Sequence, residues 1–453
     1  MRFTPWATRM ATILGLSATA LLSACGGGGS GGGNAQVRLL NITQSYATLD
    51  LSVNNTTINS KVAQGQVGSY GGVDSNNTAT QILTSDVGNS VAALTPTLAG
   101  GNNYTLIAYG FSGATRVSQL QESQDAPDSG KAKVLALNLA PDAGSLDIYI
   151  TTSDAALTDS SPFYSGLQGA AGSGYIQINS GTYRVRVTGV GNKNDLRLDI
   201  PAVTFDSASV NSLIFSATSS GTLVNGTKLV QKGAVTSFTN TLSRVRMING
   251  LAGAAYASST IQGKTLLLNS PAPNRVDYVS LPAGASNLVV NVNGSPITLP
   301  SGAPTMAAGA DYTYLLYGTA AAPQFTVLTD DNRLPTTSGN VKIRLINALA
   351  GTNNPLASLV VDNTTRAANL AAGTSSTPDG TLSSSTGSTV QVWSPLIGSS
   401  PIYNPGTFGN TTSLTPLIAN GVYTAIIMGD STVNTSVTPP TMPGATGMFI
   451  RDR

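Results

Sequence analysis

A five-residue sequence motif recurs four times along this 453-residue chain and constrains what the chain can fold into. Each copy is a run of alternating apolar residues that ends on asparagine. The copies lie at residues 37–41 (VRLLN), 134–138 (VLALN), 245–249 (VRMIN) and 343–347 (IRLIN). Alternation with a period of two is typical of a strand with one apolar and one outward face, and asparagine favours a turn. The sequence therefore predicts four units, each of which opens with such a strand.

A second motif, in which tyrosine is followed six residues later by glycine, lies near the end of three of the units. It begins at Tyr104, Tyr312 and Tyr423, whereas the second unit has only a degenerate version at residues 211–217. We interpret the tyrosines as core or corner residues of a sandwich. Asn249 follows Asn41 by 208 positions, and Tyr312 follows Tyr104 by the same 208. Equal offsets indicate that a two-unit module was duplicated, which gives an A-B-A-B array.

Composition favours strands over helices. Every acidic residue but Glu122 is aspartate, lysine is scarce, and Thr, Ser, Asn, Gly and Val are abundant. Helices are usually built on Glu, Lys, Ala and Leu. We predict an all-β chain of four tandem immunoglobulin-like antiparallel β-sandwiches: A1 (35–128), B1 (129–240), A2 (241–338) and B2 (339–453). The Ser/Thr/Gly-rich residues 371–389 are expected to form a mobile surface loop.

The N-terminal region predicts export and a lipid anchor. Residues 1–24 combine Arg2 and Arg9 with an apolar stretch too short to span a bilayer, which is typical of a signal peptide. Cys25, the only cysteine, closes the run LSAC and resembles a bacterial lipoprotein processing site. Residues 25–34 are glycine-rich and predict a flexible tether. Gly26 stands where Asp usually marks inner-membrane retention, so we expect outer-membrane sorting, with the array facing periplasm or cell surface. The alternative is an ordinary cleaved signal with a chance cysteine.

Absent residue types limit the chemistry. The chain has no histidine, which excludes His-based catalysis and the commonest zinc, copper and iron sites. With the two arginines of the signal removed, 21 basic residues face 21 acidic ones, which argues against nucleic acid. We expect no cofactor and no resident metal. The expected partners are the membrane, through lipid on Cys25, and glycans or other envelope proteins.

One segment resembles a known family. Residues 134–150 read VLALNLAPDAGSLDIYI, which is similar to the opening V-R-x-x-N-A-S-P-D-A-P-x-V-D-V-Y-V of the bacterial domain of unknown function 4397. The other units share parts of this pattern, so the family is expected in tandem copies. The resemblance implies a β-sandwich at the cell envelope. It implies no established activity and supplies no catalytic residues.

Four aspartates are the candidate contacts for a metal or ligand: Asp142, Asp147, Asp330 and Asp331. Carboxylates bind calcium through oxygen, and a pair can act as glycosidase acid and base. The structural alternatives are a turn-stabilising role for Asp142, an edge-strand position for Asp147 and solvation of a linker by Asp330 and Asp331. No calcium-loop motif is present in the sequence.

Three first strands carry an arginine at the same position: Arg38, Arg246 and Arg344, with Leu135 in the remaining unit. We expect each arginine to pack its stem along the sheet and to pair with a neighbouring Asp. Contact with an acidic glycan is the alternative.

The resulting hypothesis is a non-catalytic surface lipoprotein that acts as scaffold, spacer or adhesin. The alternatives are a glycan- or calcium-binding module and an Asp-dependent polysaccharide hydrolase.

Overall fold

The computed structural model describes residues 33–300, 302–351, 354–398, 400–405 and 414–453. Regular structure in these residues is β-strand apart from one 3-10 turn, Pro141–Ala143. None of them belongs to a helix long and apolar enough to cross a membrane. The predicted signal peptide, Cys25 and the tether as far as residue 32 lie outside the described residues.

Unit A1 is a sandwich of two sheets. Its strands are β1 (Asn34–Thr43), β2 (Thr48–Val53), β3 (Thr56–Ala63), β4 (Gln66–Val67), β5 (Gly71–Asp74), β6 (Thr80–Thr84), β7 (Ser90–Leu94), β8 (Asn103–Gly110) and β9 (Arg116–Gln121). The inner sheet, which we define in every unit as the one with its first strand, has the order β4-β1-β8-β9, and β5 also pairs with β1. The outer sheet has the order β3-β2-β6-β7.

Unit B1 repeats this plan. Its strands are β10 (Lys131–Leu139), β11 (Leu146–Thr151), β12 (Tyr164–Leu167), β13 (Ala171–Asn179), β14 (Gly181–Gly189), β15 (Asn192–Phe205), β16 (Ser209–Ala217), β17 (Val224–Val230) and β18 (Val235–Phe238). The inner sheet is β13-β10-β16-β17-β18 and the outer sheet is β12-β11-β14-β15.

Unit A2 follows the plan of A1. Its strands are β19 (Leu242–Asn249), β20 (Tyr256–Ile261), β21 (Lys264–Pro271), β22 (Asn274–Pro282), β23 (Gly284–Ala285), β24 (Val289–Val292), β25 (Ser295–Pro296), β26 (Thr305–Met306), β27 (Asp311–Gly318) and β28 (Pro323–Asp330). The inner sheet is β22-β19-β27-β28, the outer sheet is β21-β20-β24-β25, and β23 pairs with β26.

Unit B2 completes the array. Its strands are β29 (Asn340–Ala350), β30 (Ala357–Val361), β31 (Thr364–Leu370), β32 (Thr374–Ser375), β33 (Asp379–Ser383), β34 (Ser385–Ser388), β35 (Val390–Trp393), β36 (Thr415–Leu417), β37 (Val422–Asp430) and β38 (Ala445–Arg451). The inner sheet is β32-β29-β37-β38, with β33 on β29, and the outer sheet is β31-β30-β35. Residues 371–389, which were expected to form a surface loop, hold the short strands β32, β33 and β34.

The all-β, tandem architecture is confirmed, with one addition: each unit contains a parallel strand pair. In every inner sheet the first strand runs parallel to a long later strand, namely β1 with β8, β10 with β16, β19 with β27 and β29 with β37. The first strands make antiparallel ladders with their other neighbours. The central strands are buried on both faces, so the expectation of an outward, polar face was wrong.

The second face is buried because inner sheets pack against each other in two pairs. Leu40 and Ile42 of A1 share a core cluster with Leu135 and Leu137 of B1. A corresponding cluster joins A2 to B2. Separate clusters fill the inside of each unit. We call A1 with B1 the first pair and A2 with B2 the second pair.

The two pairs are stacked end to end. Ser220, beyond the end of β16, donates through its hydroxyl to the carbonyl of Gly309, just before β27, at 2.8 Å. Asp142, beyond the end of β10, accepts the N–H of Leu334, which precedes β29, at 2.8 Å. Its carbonyl also accepts a bond from the Arg453 guanidinium. The far end of the first pair therefore meets the near end of the second pair, and β1 begins at the opposite end of A1.

The repeated asparagines tie the two sheets of each unit together. Each amide oxygen accepts the backbone N–H two residues later, and each amide nitrogen donates to a carbonyl of the outer sheet: Asn41 to Val62, Asn138 to Leu167, Asn249 to Ser270 and Asn347 to Leu370. All four are fully buried. Three of the strands run past their asparagine, so its predicted role as a strand end gives way to that of an internal brace.

The three closing tyrosines make one common contact. The hydroxyl oxygens of Tyr104, Tyr312 and Tyr423 each accept the backbone N–H five residues earlier, at 2.9, 3.0 and 2.7 Å. The corner interpretation is confirmed. In B1 the corresponding position, opposite Val134, is Asn211.

Candidate functional site

The second pair is held by a buried cluster of charges that crosses from unit to unit. Arg344 of B2 donates to Asp330 of A2 at 2.6 Å, and Arg246 of A2 donates to Asp452 of B2 at 2.5 Å. Each of these four side chains is at most 2% exposed. We call Arg246, Arg344, Asp330 and Asp452 the second-pair clasp. Asp330 thus lies in a strand at an interface, so its predicted place in a solvated linker was wrong.

Neutral hydroxyls complete the second-pair clasp. Asp330 accepts bonds from the hydroxyls of Thr313 and Tyr278, both at 2.5 Å. Burial by itself raises the pKa of a carboxyl, but the guanidinium groups of Arg344 and Arg246 outweigh it and hold the pKa of Asp330 below its usual value. Asp330 is therefore ionised at neutral pH although it is buried.

The first pair has a clasp of a different kind at the corresponding place. Arg38 donates to both carboxylate oxygens of Glu122, at 3.0 and 3.1 Å, and both residues belong to A1. Thr105 and Tyr70 donate to the same carboxylate. We call these four residues the first-pair clasp. It reaches B1 only through backbone atoms, because Arg38 donates to a carbonyl and Glu122 accepts an N–H in the turn 232–233.

Unit B1 carries neutral residues where the other units carry charges. In the parallel strand pair of B1, Leu135 lies opposite Ser212, and in that of B2, Arg344 lies opposite Thr424, so Leu135 occupies the position of the arginine. Gln231 follows β17 as residue 452 follows β38, and its side chain bonds to the backbone of residue 124 instead of to an arginine. B1 therefore contributes no charged side chain to the clasp of the first pair.

The three arginines confirm the pairing that the sequence predicted, although the partner of Arg38 is a glutamate. They are 4%, 1% and 2% exposed at positions 38, 246 and 344. Side chains buried this deeply and paired with carboxylates cannot reach a glycan, so the alternative of direct glycan contact is wrong.

Asp147 organises turns within B1. It lies on β11, which pairs with β12 and with β14, so its predicted edge-strand position was wrong. Its carboxylate accepts bonds from the Ser165 hydroxyl at 2.7 Å and from the N–H groups of Gly166 and Gly191 at 2.8 Å. Burial raises its pKa, but these three donors together lower it below the usual value. No cation is needed to satisfy this carboxylate.

Asp142 and Asp331 lie together in a groove where the two pairs meet, which we call the waist groove. Its volume is about 530 Å³, and its walls come from A1, B1, the linker 331–338 and B2. Asp331 binds Arg333 and Lys342, each at 2.7 Å. Asp142 accepts the Leu334 N–H, as described above, so it links two units and does not serve the local turn predicted for it.

The two carboxyl groups of the waist groove have opposite pKa shifts. Burial raises the pKa of Asp142, and its contacts with Leu334 and Arg453 offset this only in part. Burial also acts on Asp331, but hydrogen bonds from Arg333 and Lys342 outweigh it and lower the pKa of that carboxyl. Asp331 is therefore a fixed anion between two cations.

The described residues contain no group of three or more Cys, Asp or Glu side chains placed to hold a metal ion. Of the four candidate aspartates, Asp142 and Asp331 line the waist groove, whereas Asp147 caps turns of B1 and Asp330 is sealed in the second-pair clasp. Each already has hydrogen-bond donors from the protein. The fifth candidate, Cys25, lies outside the described residues.

Sequence reasoning missed four partners of these clusters: Glu122, Tyr70, Asp452 and Arg116. A signal was present for two of them. Asp330 follows Glu122 by 208 positions and Tyr278 follows Tyr70 by the same 208, which is the repeat offset of the asparagines. A search for polar residues that keep the repeat offset finds both. Arg116, which lines the waist groove, follows no such rule, because the residue 208 positions later is the uncharged Gln324.

Comparison with known proteins places the chain in a family. The sequence profile described as Domain of unknown function (DUF4397) matches residues 35–149 and 243–354, which together make up half of the chain. The chain belongs to this family. Each DUF4397 match begins in an A unit and ends in the B unit that follows. The resemblance in tandem copies is thus confirmed.

No curated protein matches the chain. Solved structures that match include a candidate cell adhesion protein from Bacteroides uniformis, at 14% identity, 45% of this chain, 99% of that chain and a TM-score of 0.21. The tip fimbrial protein Mfa3 from Porphyromonas gingivalis matches at 10% identity, over 45% of this chain and 100% of that chain, with a TM-score of 0.20. A candidate cell adhesion protein from Bacteroides ovatus matches at 10% identity, over 46% of this chain and 98% of that chain, with a TM-score of 0.19. At these TM-scores the matches add nothing to what is known of this chain.

Proposed function

We propose that this DUF4397 protein is a non-catalytic lipoprotein of the bacterial outer membrane whose four units form a stiff spacer or scaffold. The stacking of the two pairs carries the proposal. Face-to-face packing within each pair, and direct bonds such as those from Leu334 to Asp142 and from Ser220 to Gly309, leave little freedom between units. A stiff stack presents its far end at a fixed distance from its point of attachment.

The position of β1 supports attachment at one end. The chain passes from the glycine tract into β1 at the end of A1 that lies away from the waist groove. A lipid on Cys25 would therefore hold the first pair near the membrane and the second pair farther from it. Two or more acyl chains on one cysteine give a durable anchor.

The buried carboxylates support a non-catalytic role. Glu122, Asp330 and Asp452 are each bonded to arginine and to hydroxyl groups inside an interface. A general acid or base must reach the proton of a substrate. These carboxylates cannot, and they act as structural partners of the arginines.

Labelling with palmitate tests the anchor. We expect the full-length protein to incorporate labelled palmitate in cells and to remain with outer membranes, and Cys25→Ser to lose the label and to appear in the soluble fraction. Cys25→Ser leaves every described residue unchanged, so it is a clean control for folding. A C25S protein that stays in the membrane would contradict the proposal.

Protease treatment of intact cells tests orientation and the spacer role. Surface display predicts cleavage by added protease, whereas a periplasmic array is cleaved only after the outer membrane is opened. A spacer further predicts that deletion of A2 and B2 shortens the array without releasing it from the membrane. Turnover of an envelope or extracellular polysaccharide by the purified protein, abolished by an aspartate substitution, would overturn the non-catalytic role.

A further inference from the structure

The waist groove is lined in part by side chains, Arg116 among them, to which no structural role was assigned above. It is formed where separate stretches of A1, B1, the linker and B2 meet, and its charged or amide side chains are Arg116, Asp142, Asp331, Arg333, Lys342 and Asn420. Its volume of about 530 Å³ falls in the range of small-molecule sites, about 300–1,000 Å³. The interface between the pairs is therefore incompletely filled at this place.

The charges of the waist groove leave an excess of cations. Asp331 is shared between Arg333 and Lys342, so one carboxylate faces two cations. Arg116 is exposed, and none of the ion pairs among the described residues includes it. Asp142 is buried and is already bonded to a backbone N–H, and it feels the charge of Arg116 only at longer range. A guanidinium without an ion-pair partner at the rim of a concave site is a ready receptor for a carboxylate.

Arg333 is held in place in the groove. Its guanidinium group donates to both oxygens of Asp331 at 2.7 Å and lies over the ring of Phe111, 5.0 Å from the centroid. Fixed groups lose little side-chain entropy when a ligand binds. This wall of the groove is therefore rigid before any ligand arrives.

The remaining lining combines flat apolar faces with short polar groups. Pro141, Pro335 and Pro378 provide rings, and the polar groups include the hydroxyls of Ser112 and Thr336. A pyranose has an apolar face and a rim of hydroxyls, and it matches such a surface better than a purely apolar ligand does.

We propose that the waist groove binds a sugar that carries a carboxylate, a uronic acid unit of an acidic glycan, and that Arg116 receives the carboxylate. The proline rings lie against the face of the sugar, and the hydroxyl side chains meet its hydroxyl groups. Because the groove is built from both pairs, it exists only while the two pairs are stacked. This role goes beyond that of a spacer and does not depend on the lipid anchor.

Calorimetry with digalacturonate tests the site, with its methyl ester as the matched neutral ligand. We expect the full-length protein to bind the acid, and to bind the ester more weakly by about tenfold or more. Arg116→Gln should weaken binding of the acid about tenfold, because it removes a charge-assisted hydrogen bond. Lys264→Gln removes an equal charge from the exposed start of β21 in A2 and should change nothing.

A second variant blocks the groove without changing its charge. Thr336 is exposed, so Thr336→Trp is expected to keep the melting temperature of the wild type and to abolish binding. Equal binding of acid and ester, or wild-type affinity in R116Q or T336W, would overturn the proposal. Binding of an acidic peptide, triaspartate, in place of digalacturonate would also overturn it, because the ligand would then be a peptide. The palmitate experiment tests only the lipid anchor. A negative result there does not bear on ligand binding by the waist groove, and a negative calorimetry result does not bear on the anchor.

Discussion

The two pairs share one architecture and differ in how charge crosses their interface. In the second pair, Arg246 and Arg344 each bind a carboxylate of the opposite unit. In the first pair, Arg38 binds Glu122 of its own unit, and B1 contacts these two side chains only through backbone atoms. The same packing of inner sheets is thus compatible with ion pairs that cross from unit to unit, which we call crossed pairs, and with an ion pair that stays within one unit.

The difference teaches what a buried charge contributes in this fold. Taking charges out of water costs several kcal/mol per ion, and a buried pair offsets that cost only when its geometry is good. The apolar contact of the first pair shows that the sheets can pack without crossed pairs. We infer that the crossed pairs chiefly fix which unit docks on which, and in what register.

The largest expected effect comes from Arg344→Leu, which places in B2 the leucine that B1 has at Leu135. Asp330 then loses its closest cation, and two carboxylates remain with one arginine. We expect the second pair to lose about 3–5 kcal/mol, as for other broken buried pairs. Trp393, in B2, is the one tryptophan outside residues 1–24, so urea unfolding followed by its fluorescence reports this pair.

The double variant Arg344→Leu with Asp452→Gln is the matched control. It gives B2 both neutral residues of B1 and leaves Arg246 and Asp330, already 3.9 Å apart, to pair within A2 as the arginine and glutamate of A1 do. Most of the lost stability should return. If the double variant is less stable than R344L, the two interfaces are not interchangeable and the comparison fails.

A smaller effect is expected for Glu122→Gln in the first pair. The amide oxygen still accepts bonds from Thr105 and Tyr70, so the losses are the charge partner of Arg38 and the acceptor of one backbone N–H of B1. We expect a loss of about 1–3 kcal/mol. Hydrogen exchange at β8 should speed up while the Trp393 transition stays in place. A shift of that transition would show that the two pairs unfold together.

Acid should lower the stability of the second pair gradually as the pH falls. The folded-state pKa of Asp330 is below its usual 3.8, so its stabilising contribution is complete above that value and is lost as pH falls below it. Asp142 has a raised pKa and acts in the opposite direction, since its contribution is lost as pH rises through that pKa. We expect the Trp393 transition to weaken below about pH 4. The variant R344L/D452Q should weaken less, and an identical pH profile would contradict this origin.

The smallest effect should be the same in both pairs. Tyr104→Phe and Tyr312→Phe each remove one hydrogen bond from a backbone N–H five residues earlier. We expect about 0.5–1.5 kcal/mol for each, measured by hydrogen exchange at β8 and β27. Unequal losses would show that the clasps also alter the corners.

Local patterns explain how much of the fold could be predicted. Apolar runs of period two and turns rich in Asn and Gly reveal strands wherever they occur, and the offset between Asn41 and Asn249 reveals the duplication. The corner role of Tyr312 was accessible because its contact is only five residues away. The parallel partner of β1 was not, because β8 is distant in sequence and pairing over such a separation leaves no local trace.

The candidate site was predicted less well for the same reason. Asp142 and Asp331 were chosen as isolated carboxylates, and only the stacking of the pairs brings them into one groove with Arg116. Asp330 was expected in solvent because its neighbours in sequence are polar, yet the packing of B2 on A2 buries it beside Arg344.

The sequence by itself determined the strand content, the duplication, the family and the absence of any chemistry that needs histidine. Those properties depend on residue type and on short-range spacing. The tertiary structure alone decided that inner sheets face each other, that Arg344 and Asp330 meet across units, and that a groove opens where the pairs are stacked. The reason is physical, because two apolar faces indicate that a strand is buried but do not identify the partner that covers it.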